Sequence, residues 1–197
     1  TTSGRIELMA PAGNFESMQA ALDNGCDSIY FGVEQLNMRA RATVNFVLDD
    51  LPEIARRCNE KNVRTYLTLN TIIYDHDLSI VKTLLTKAKE AGITAVIASD
   101  QAVIMTARTI GMEVHISTQL NVTNIETVKF YAMFADTIVL SRELSLRQVK
   151  KITDDIEKEQ VKGPSGNLVE IEIFGHGALC MAVSGKCYLS LHSHNSS

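Results

Sequence analysis

The chain has 197 residues, of which 45% are hydrophobic, so it can bury a sizeable core as one globular domain. Four cysteines in this length are too few for a disulfide-stabilised scaffold, and we expect a reducing, cytoplasmic compartment. No apolar run approaches the length of a membrane span, and a formal net charge of −4 argues against broad, non-specific binding of nucleic acid.

Seven short segments, most of them rich in β-branched or aromatic residues, are predicted to form strands, with helices between them. In chain order the predicted strands are 6–10, 28–32, 64–70, 95–98, 113–117, 137–140 and 169–174. The predicted helices lie near 14–24, 50–61, 77–91, 100–110, 124–134 and 145–159. Asp77, Asp100 and Asn124 are predicted to cap three of these helices or to place an acid in the first turn.

This repeated alternation predicts parallel strands joined by right-handed crossovers, in an α/β fold of the TIM-barrel type. Seven strands with six intervening helices are one βα unit and a final helix short of a closed eight-stranded barrel. We therefore expect an incomplete (β/α) barrel that forms a single domain over residues 1–197 and is a fragment of a longer protein. The barrel should stay open between its first and seventh strands, and that edge favours a homodimer.

The stretch with the most specific chemistry follows the last predicted strand. Cys180 and Cys187, separated by six residues, lie on a segment that also contains Gly175, Gly177 and Gly185. Glycines let a backbone fold tightly around a soft metal centre, but two thiols are half of the usual four-thiolate set. Two interpretations stay open: the pair belongs to a metal site completed by other ligands, or both cysteines are buried free thiols.

The same stretch resembles the signature of peptidase family U32, the collagenase-like proteins. The residues that fall in register with that signature are Glu172, Phe174, Gly177, Cys180, Gly185, Cys187 and Ser190. The segments 7–14 and 31–42 also look like segments of this family, so the resemblance spans the whole chain. Members of the family continue beyond the barrel portion and carry further cysteines shortly after a position like Ser197.

The resemblance implies a cofactor and substrates. Similar proteins carry a 4Fe–4S iron–sulfur cluster on four cysteines, which makes Cys180 and Cys187 the expected metal ligands in the full-length protein. This segment alone is expected to hold no intact cluster. Those proteins support oxygen-independent hydroxylation of a tRNA wobble uridine, a ribosomal RNA cytidine or a ubiquinone precursor, and the tRNA branch is linked to prephenate as hydroxyl source. The partners expected for this chain are therefore tRNA or rRNA, with prephenate as a small-molecule substrate.

In a barrel of this type the chemistry lies on loops at the C-terminal ends of the strands. The candidate substrate-binding residues at those ends are Arg39, Arg41, Asn45, Asn70, Asp100, Gln119 and Arg142. Arg39 and Arg41 suit an anion clamp, because guanidinium groups bind carboxylate and phosphate through two hydrogen bonds; a solvated loop is the alternative. Asp100 as a helix cap, Gln119 as a loop brace and Arg142 in a local ion pair are the structural alternatives.

Strand alternation supplies candidate catalytic residues. It turns His115 and Ser117 of the fifth predicted strand, and Glu170 and Glu172 of the seventh, toward the barrel interior. Glu172 with His115 is either an acid–base pair or a satisfied structural pair, because an interior carboxylate must be paired or protonated. His176 follows the seventh strand and is the third candidate.

Three functions compete at this stage. The family name implies a collagenase-like peptidase, but the sequence contains no nucleophile elbow, no His-Glu-x-x-His motif and no convincing cysteine–histidine dyad. Iron–sulfur-dependent RNA hydroxylation agrees better with the cysteine pair, the polar loops and the arginine pair. A non-catalytic RNA-binding or assembly module is the third, and the acidic charge and few aromatic residues count against it.

Overall fold

The computed structural model describes residues 6–34 and 46–175, and these form an alternating series of strands and helices. The strands are β1 Met9–Pro11, β2 Ser28–Phe31, β3 Arg64–Leu69, β4 Ala95–Ala98, β5 Glu113–Ile116, β6 Thr137–Val139 and β7 Glu170–Glu172. The helices are α1 Phe15–Asp23, α2 Leu51–Glu60, α3 Leu78–Ala91, α4 Gln101–Thr109, α5 Ile125–Ala132 and α6 Leu146–Glu159. Short 3₁₀ turns cover Leu48–Asp50, Asp75–Asp77 and Thr118–Leu120.

All seven strands form one parallel sheet in the order of the sequence, from β1 to β7. The sheet curls into a half-barrel, because each of the first six strands is followed by a helix that packs on the same outer face. Within residues 6–34 and 46–175, no ladder joins β7 back to β1. The predicted incomplete barrel of parallel strands is confirmed, while association through its open edge stays a prediction.

The first strand begins later than predicted. It covers Met9–Pro11, because its partner β2 begins at Ser28, which lies opposite Met9. Leu8, the residue before β1, bonds a side chain and not a neighbouring strand: its backbone N–H donates to the Asp27 carboxylate at 2.9 Å. Ile6 has no strand beside it and is 89% exposed.

The two faces of the sheet bury different residues. Leu67, Val96 and Ile138 belong to the large core between the sheet and the helices. Tyr66 and Ile97, each adjacent along its strand to one of those residues, belong to a small separate cluster on the concave inner face. The half-barrel therefore has an apolar outer layer and a sparsely filled interior, where the polar strand residues lie.

The helices are positioned by caps that the sequence predicted. The Asp100 carboxylate accepts from the backbone N–H of Ala102 at 2.7 Å, and Asn124 accepts from Thr127 at 2.9 Å. Asp77 acts one turn earlier, because its carboxylate accepts from the backbone N–H of Tyr74 and closes the 3₁₀ turn before α3. In the part of the chain that the structure describes, no helix is both long and apolar enough to cross a bilayer.

Candidate functional site

A cavity of about 300 Å³ opens at the C-terminal ends of the first three strands. This is the end of a (β/α) barrel where ligands bind. The residues that line it are Pro11, Ala12, Gly13, Tyr30, Phe31, Gly32, Val33, Thr68, Leu69, Asn70 and Thr71. They come from the last residues of β1, β2 and β3 and from the loops that follow, so the sheet itself fixes the shape of the cavity.

The polar groups in this cavity are neutral and lack partners. The hydroxyl oxygens of Thr68 and Thr71 are inaccessible to solvent and form no hydrogen bond among the described residues. The half-buried amide of Asn70 has no hydrogen bond to the described residues either. No charged side chain is among the described residues that line the cavity. The half-buried Asn70 amide can therefore both donate and accept hydrogen bonds to a ligand, whereas the two threonine hydroxyl oxygens are closed to solvent.

A second polar cluster lies deeper in the half-barrel, around His115 on β5. The His115 side chain is 2% exposed, and its Nε2 lies 2.8 Å from Oε1 of Glu113, two residues earlier on the same strand face. Its Nδ1 is buried without a partner among the described residues. The imidazole packs on the ring of Tyr66, with centroids 4.5 Å apart and an interplanar angle of 52°.

Arg64 at the start of β3 extends this cluster toward the N-terminal ends of the strands. Its guanidinium bonds Glu113 at 3.0 Å and Glu7 at 3.2 Å, and the Tyr66 hydroxyl donates to Glu7 at 2.6 Å. The hydrogen bond with His115 lowers the pKa of Glu113, and burial together with the Glu7 hydrogen bond raises the pKa of Tyr66. Because the carboxylates are paired with Arg64, Tyr66 and His115, this layer is suited to a structural role.

Glu172 faces the same interior from the end of β7. Burial raises the pKa of its carboxyl group, the charge of His115 opposes that shift, and the charge of Glu7 adds to it. The carboxylate hydrogen-bonded to His115 is Glu113, although the sequence suggested Glu172 as the partner. Glu172 and His115 therefore share the interior and interact through charge. Strand alternation could have flagged Glu113, because it is two residues from His115.

The other candidate residues on the described loops lie apart from the cavity. Asp100 caps α4, and Gln119 is exposed in the 3₁₀ turn after β5. Arg142 lies after β6, with its guanidinium carbon 5.7 Å from the ring centroid of Phe174 beyond β7. Of the candidate substrate-binding residues that the structure describes, Asn70 alone lines the cavity.

Several predicted residues lie outside the described part of the chain, namely Arg39, Arg41, Asn45, His176, Cys180 and Cys187. The described cysteines, Cys26 and Cys58, are buried free thiols in the core between sheet and helices. Burial raises the pKa of both thiols, that of Cys58 to about 11. These two residues do not fit cluster ligands, which bind as thiolates. Over residues 6–34 and 46–175, no group of three or more His, Cys, Asp or Glu side chains could hold a metal ion.

Comparison with known proteins agrees with this fold. The sequence model of peptidase family U32 matches residues 13–197. A protein named collagenase from Porphyromonas gingivalis is 55% identical over 192 residues, which are 98% of this chain and 46% of that protein. The tRNA hydroxylation protein P1 of Bacillus subtilis is 30% identical over 189 residues, 94% of this chain and 42% of that protein. The chain thus spans less than half the length of either relative.

A solved structure of a U32 peptidase superposes on this chain with a TM-score of 0.62 at 14% identity. The match covers 88% of this chain and 69% of that structure. At this level of identity the likeness concerns the fold.

Proposed function

This chain belongs to peptidase family U32, and from that premise we propose that it is part of an iron–sulfur-dependent enzyme that hydroxylates RNA without molecular oxygen. The proposed substrate is a tRNA wobble uridine, with prephenate as hydroxyl donor. The relatives named tRNA hydroxylation protein support this choice. In the structure, the supporting observation is the cavity at the C-terminal ends of β1 to β3, whose described lining carries the Asn70 amide and no charged side chain.

Among the described residues, the buried histidine lacks the nucleophile that a hydrolase would place beside it. A serine or cysteine hydrolase needs an imidazole hydrogen-bonded to the hydroxyl or thiol that attacks the substrate. His115 is hydrogen-bonded through Nε2 to the Glu113 carboxylate, and its Nδ1 has no hydroxyl or thiol partner among the described residues. The Cys58 thiol, with a pKa of about 11, stays protonated at neutral pH and is a poor nucleophile. These groups favour a role other than peptide hydrolysis for the described part of the barrel.

Cys180 and Cys187 remain the proposed cluster ligands, and no described cysteine competes with them. When bound, a 4Fe–4S cluster would supply one-electron transfer. Replacing a ring C–H by C–OH removes two electrons from the base, so the reaction also requires an electron acceptor beyond the described residues. The role proposed for the described residues is to bind and orient the substrate near that centre. The Asn70 amide offers hydrogen bonds, and Tyr30 and Phe31 contribute aromatic lining.

Peptide hydrolysis is the second candidate function. It is favoured by one observation, the 55% identity to a protein named collagenase, which exceeds the identity to the hydroxylation proteins. In that case the hydrolytic groups would come from parts of the protein outside the described residues.

Deletion of the gene, followed by mass spectrometry of nucleosides from tRNA and rRNA, separates the two functions. We expect the deletion strain to lose a hydroxylated pyrimidine, and expect the full-length gene, but not its Cys180→Ser variant, to restore it. The proposal is wrong if RNA modification is unchanged while the purified full-length protein cleaves gelatin in a manner that depends on Cys180.

A further inference from the structure

The segment that joins β3 to α3 has a concentration of exposed apolar side chains. Four of them lie within nine residues and are between 42% and 60% exposed, namely Ile72, Tyr74, Leu78 and Ile80. Elsewhere in residues 6–34 and 46–175, no stretch of this length contains more than two exposed large hydrophobic residues. We call these four side chains the rim patch, because the segment leaves β3 at the C-terminal end of the sheet, beside the cavity. Single exposed apolar residues are ordinary, but a group of them marks an interaction surface.

Local contacts hold the rim patch in a defined conformation. Ile73 packs against the main core and anchors the segment, while its neighbours Ile72 and Tyr74 are exposed. The Asp77 carboxylate accepts a hydrogen bond from the backbone N–H of Tyr74 at 3.0 Å, and the Asp77 N–H donates to the Tyr74 carbonyl at 2.8 Å. The Tyr74 ring stacks on His76, with centroids 5.7 Å apart and 3° between the ring planes. A surface that is already ordered loses little conformational entropy when a partner binds.

The charge of this segment favours a protein partner over a nucleic acid. Residues 70–81 contain no Lys or Arg, and they contain two carboxylates, those of Asp75 and Asp77. Asp75 is exposed next to Tyr74. These carboxylates would repel the phosphates of a nucleic acid, whereas an apolar centre with a polar margin is the usual composition of a protein–protein interface.

The relatives indicate where such a protein partner comes from. The region matched by this chain is 46% of the collagenase from Porphyromonas gingivalis and 42% of the tRNA hydroxylation protein P1. Because β7 is parallel to β3, the polypeptide that follows β7 starts at the same end of the sheet as the rim patch. Contacts between domains of one chain typically bury about 600–1,500 Å² and are partly polar, which suits a small apolar patch with acidic neighbours.

We propose that the rim patch is the docking surface for the part of the full-length protein beyond residue 197. The docked part covers Tyr74 and Ile80, and it borders the cavity because the segment begins at the cavity residue Asn70. This assignment does not depend on which reaction the enzyme catalyses, since it concerns how two parts of one polypeptide are held together.

Hydroxyl-radical footprinting of the full-length protein tests whether the rim patch is covered. Tyr74 and Phe130 are matched probes, because they are 54% and 52% exposed in the barrel and Phe130 lies on α5, after a different strand. Tyr74 should be oxidised roughly fivefold more slowly than Phe130, as expected if a domain contact leaves about a tenth of its surface exposed. Equal oxidation of the two rings, corrected for their intrinsic reactivities, would overturn the proposal.

Photo-cross-linking identifies what covers the rim patch. Benzoylphenylalanine in place of Tyr74 should cross-link to peptides beyond residue 197 of the same polypeptide, as mass spectrometry would show. The same group in place of Phe130 should not. A cross-link to another site within residues 1–197 would mean that the barrel covers its own surface, and a cross-link between two polypeptides would mean that a second copy does. Either result overturns the proposal.

A charged variant tests the role of the patch itself. Ile80→Asp places a carboxylate in the contact and should raise the oxidation rate of Tyr74 to that of Phe130. Met105→Asp, at an exposed apolar residue of α4, should leave Tyr74 protected. Circular dichroism would verify that both variants fold. Persistent protection of Tyr74 in a folded Ile80→Asp protein contradicts the assignment, and so does protection that appears only after tRNA is added.

Discussion

Asp100 allows a sharp test of whether a polar residue on the barrel rim acts on the substrate or on the fold. Its carboxylate accepts from the backbone N–H of Ala102 at 2.7 Å and caps α4. Asp100→Ala removes this cap, which costs about 1 kcal/mol, and also the charge at the helix N-terminus, which adds about 0.3–1 kcal/mol. The total of about 1.5 kcal/mol corresponds to a melting temperature lowered by roughly 3–6 °C for a domain of this size.

Asp100→Asn is the matched variant, because asparagine caps a helix about as well as aspartate but carries no charge. We expect it to lose only the contribution of the charge, about 0.3–1 kcal/mol. Thermal unfolding followed by circular dichroism measures both variants, and nucleoside mass spectrometry of complemented strains measures function. If Asp100 serves only as a cap, Asp100→Asn retains RNA hydroxylation.

Two results would refute this reasoning. Equal destabilisation by Asp100→Ala and Asp100→Asn would mean that the charge, and not the cap, stabilises α4. A stable Asp100→Asn protein that loses more than about 90% of RNA hydroxylation would mean that the carboxylate contacts the substrate, as the sequence suggested.

Three further predictions concern other groups. Burial raises the pKa of Glu172 above its ordinary value of 4.5, so the charged carboxylate destabilises the folded state at neutral pH. Glu172→Gln should therefore stabilise the protein at neutral pH, and this gain should shrink as the pH falls toward 4.5. Urea unfolding across that pH range measures the effect. Cys180→Ser or Cys187→Ser in the full-length, anaerobically purified protein should abolish its iron–sulfur absorbance, and a normal spectrum in both variants would contradict the ligand assignment. Tyr66→Phe removes the hydrogen bond to Glu7 and should cost about 1–2 kcal/mol of stability, as thermal unfolding would show.

The sequence predicted the architecture because the information for it is local. The buried strand β4 is visible in the sequence as four consecutive small or branched residues, Ala95–Ala98, all of which are buried. The helix starts are visible in single polar residues such as Asp100 and Asn124, since a cap acts within three residues of itself. Strand order then follows from the short crossovers between successive units.

The interior contacts could not be predicted in the same way, because they depend on the register between strands far apart in sequence. Strand alternation places Glu113 and His115 on one face. It does not predict that the guanidinium of Arg64, 49 residues earlier in the sequence, lies 3.0 Å from the Glu113 carboxylate. Glu7 joins this group from before β1, whose start the sequence placed too early. The sequence placed Asn70 at the binding end of the barrel but not the rest of the cavity lining, since Tyr30 and Asn70 line one cavity only when β2 and β3 are in register.

The polar side chains of the half-barrel interior change from charged and paired to neutral and unpaired along the strand direction. Toward the N-terminal ends, the charged side chains of Arg64, Glu7 and Glu113 satisfy one another, and a paired charge has little capacity left for a ligand. Toward the C-terminal ends, Thr68 and Asn70 of the same strand region are neutral and unpaired among the described residues, and the half-buried Asn70 lines the cavity. We infer that β3 begins in a structural layer and ends in a layer that faces the ligand. Because ligands of (β/α) barrels bind at the C-terminal ends of the strands, the cavity end of β3 is where substrate recognition is expected.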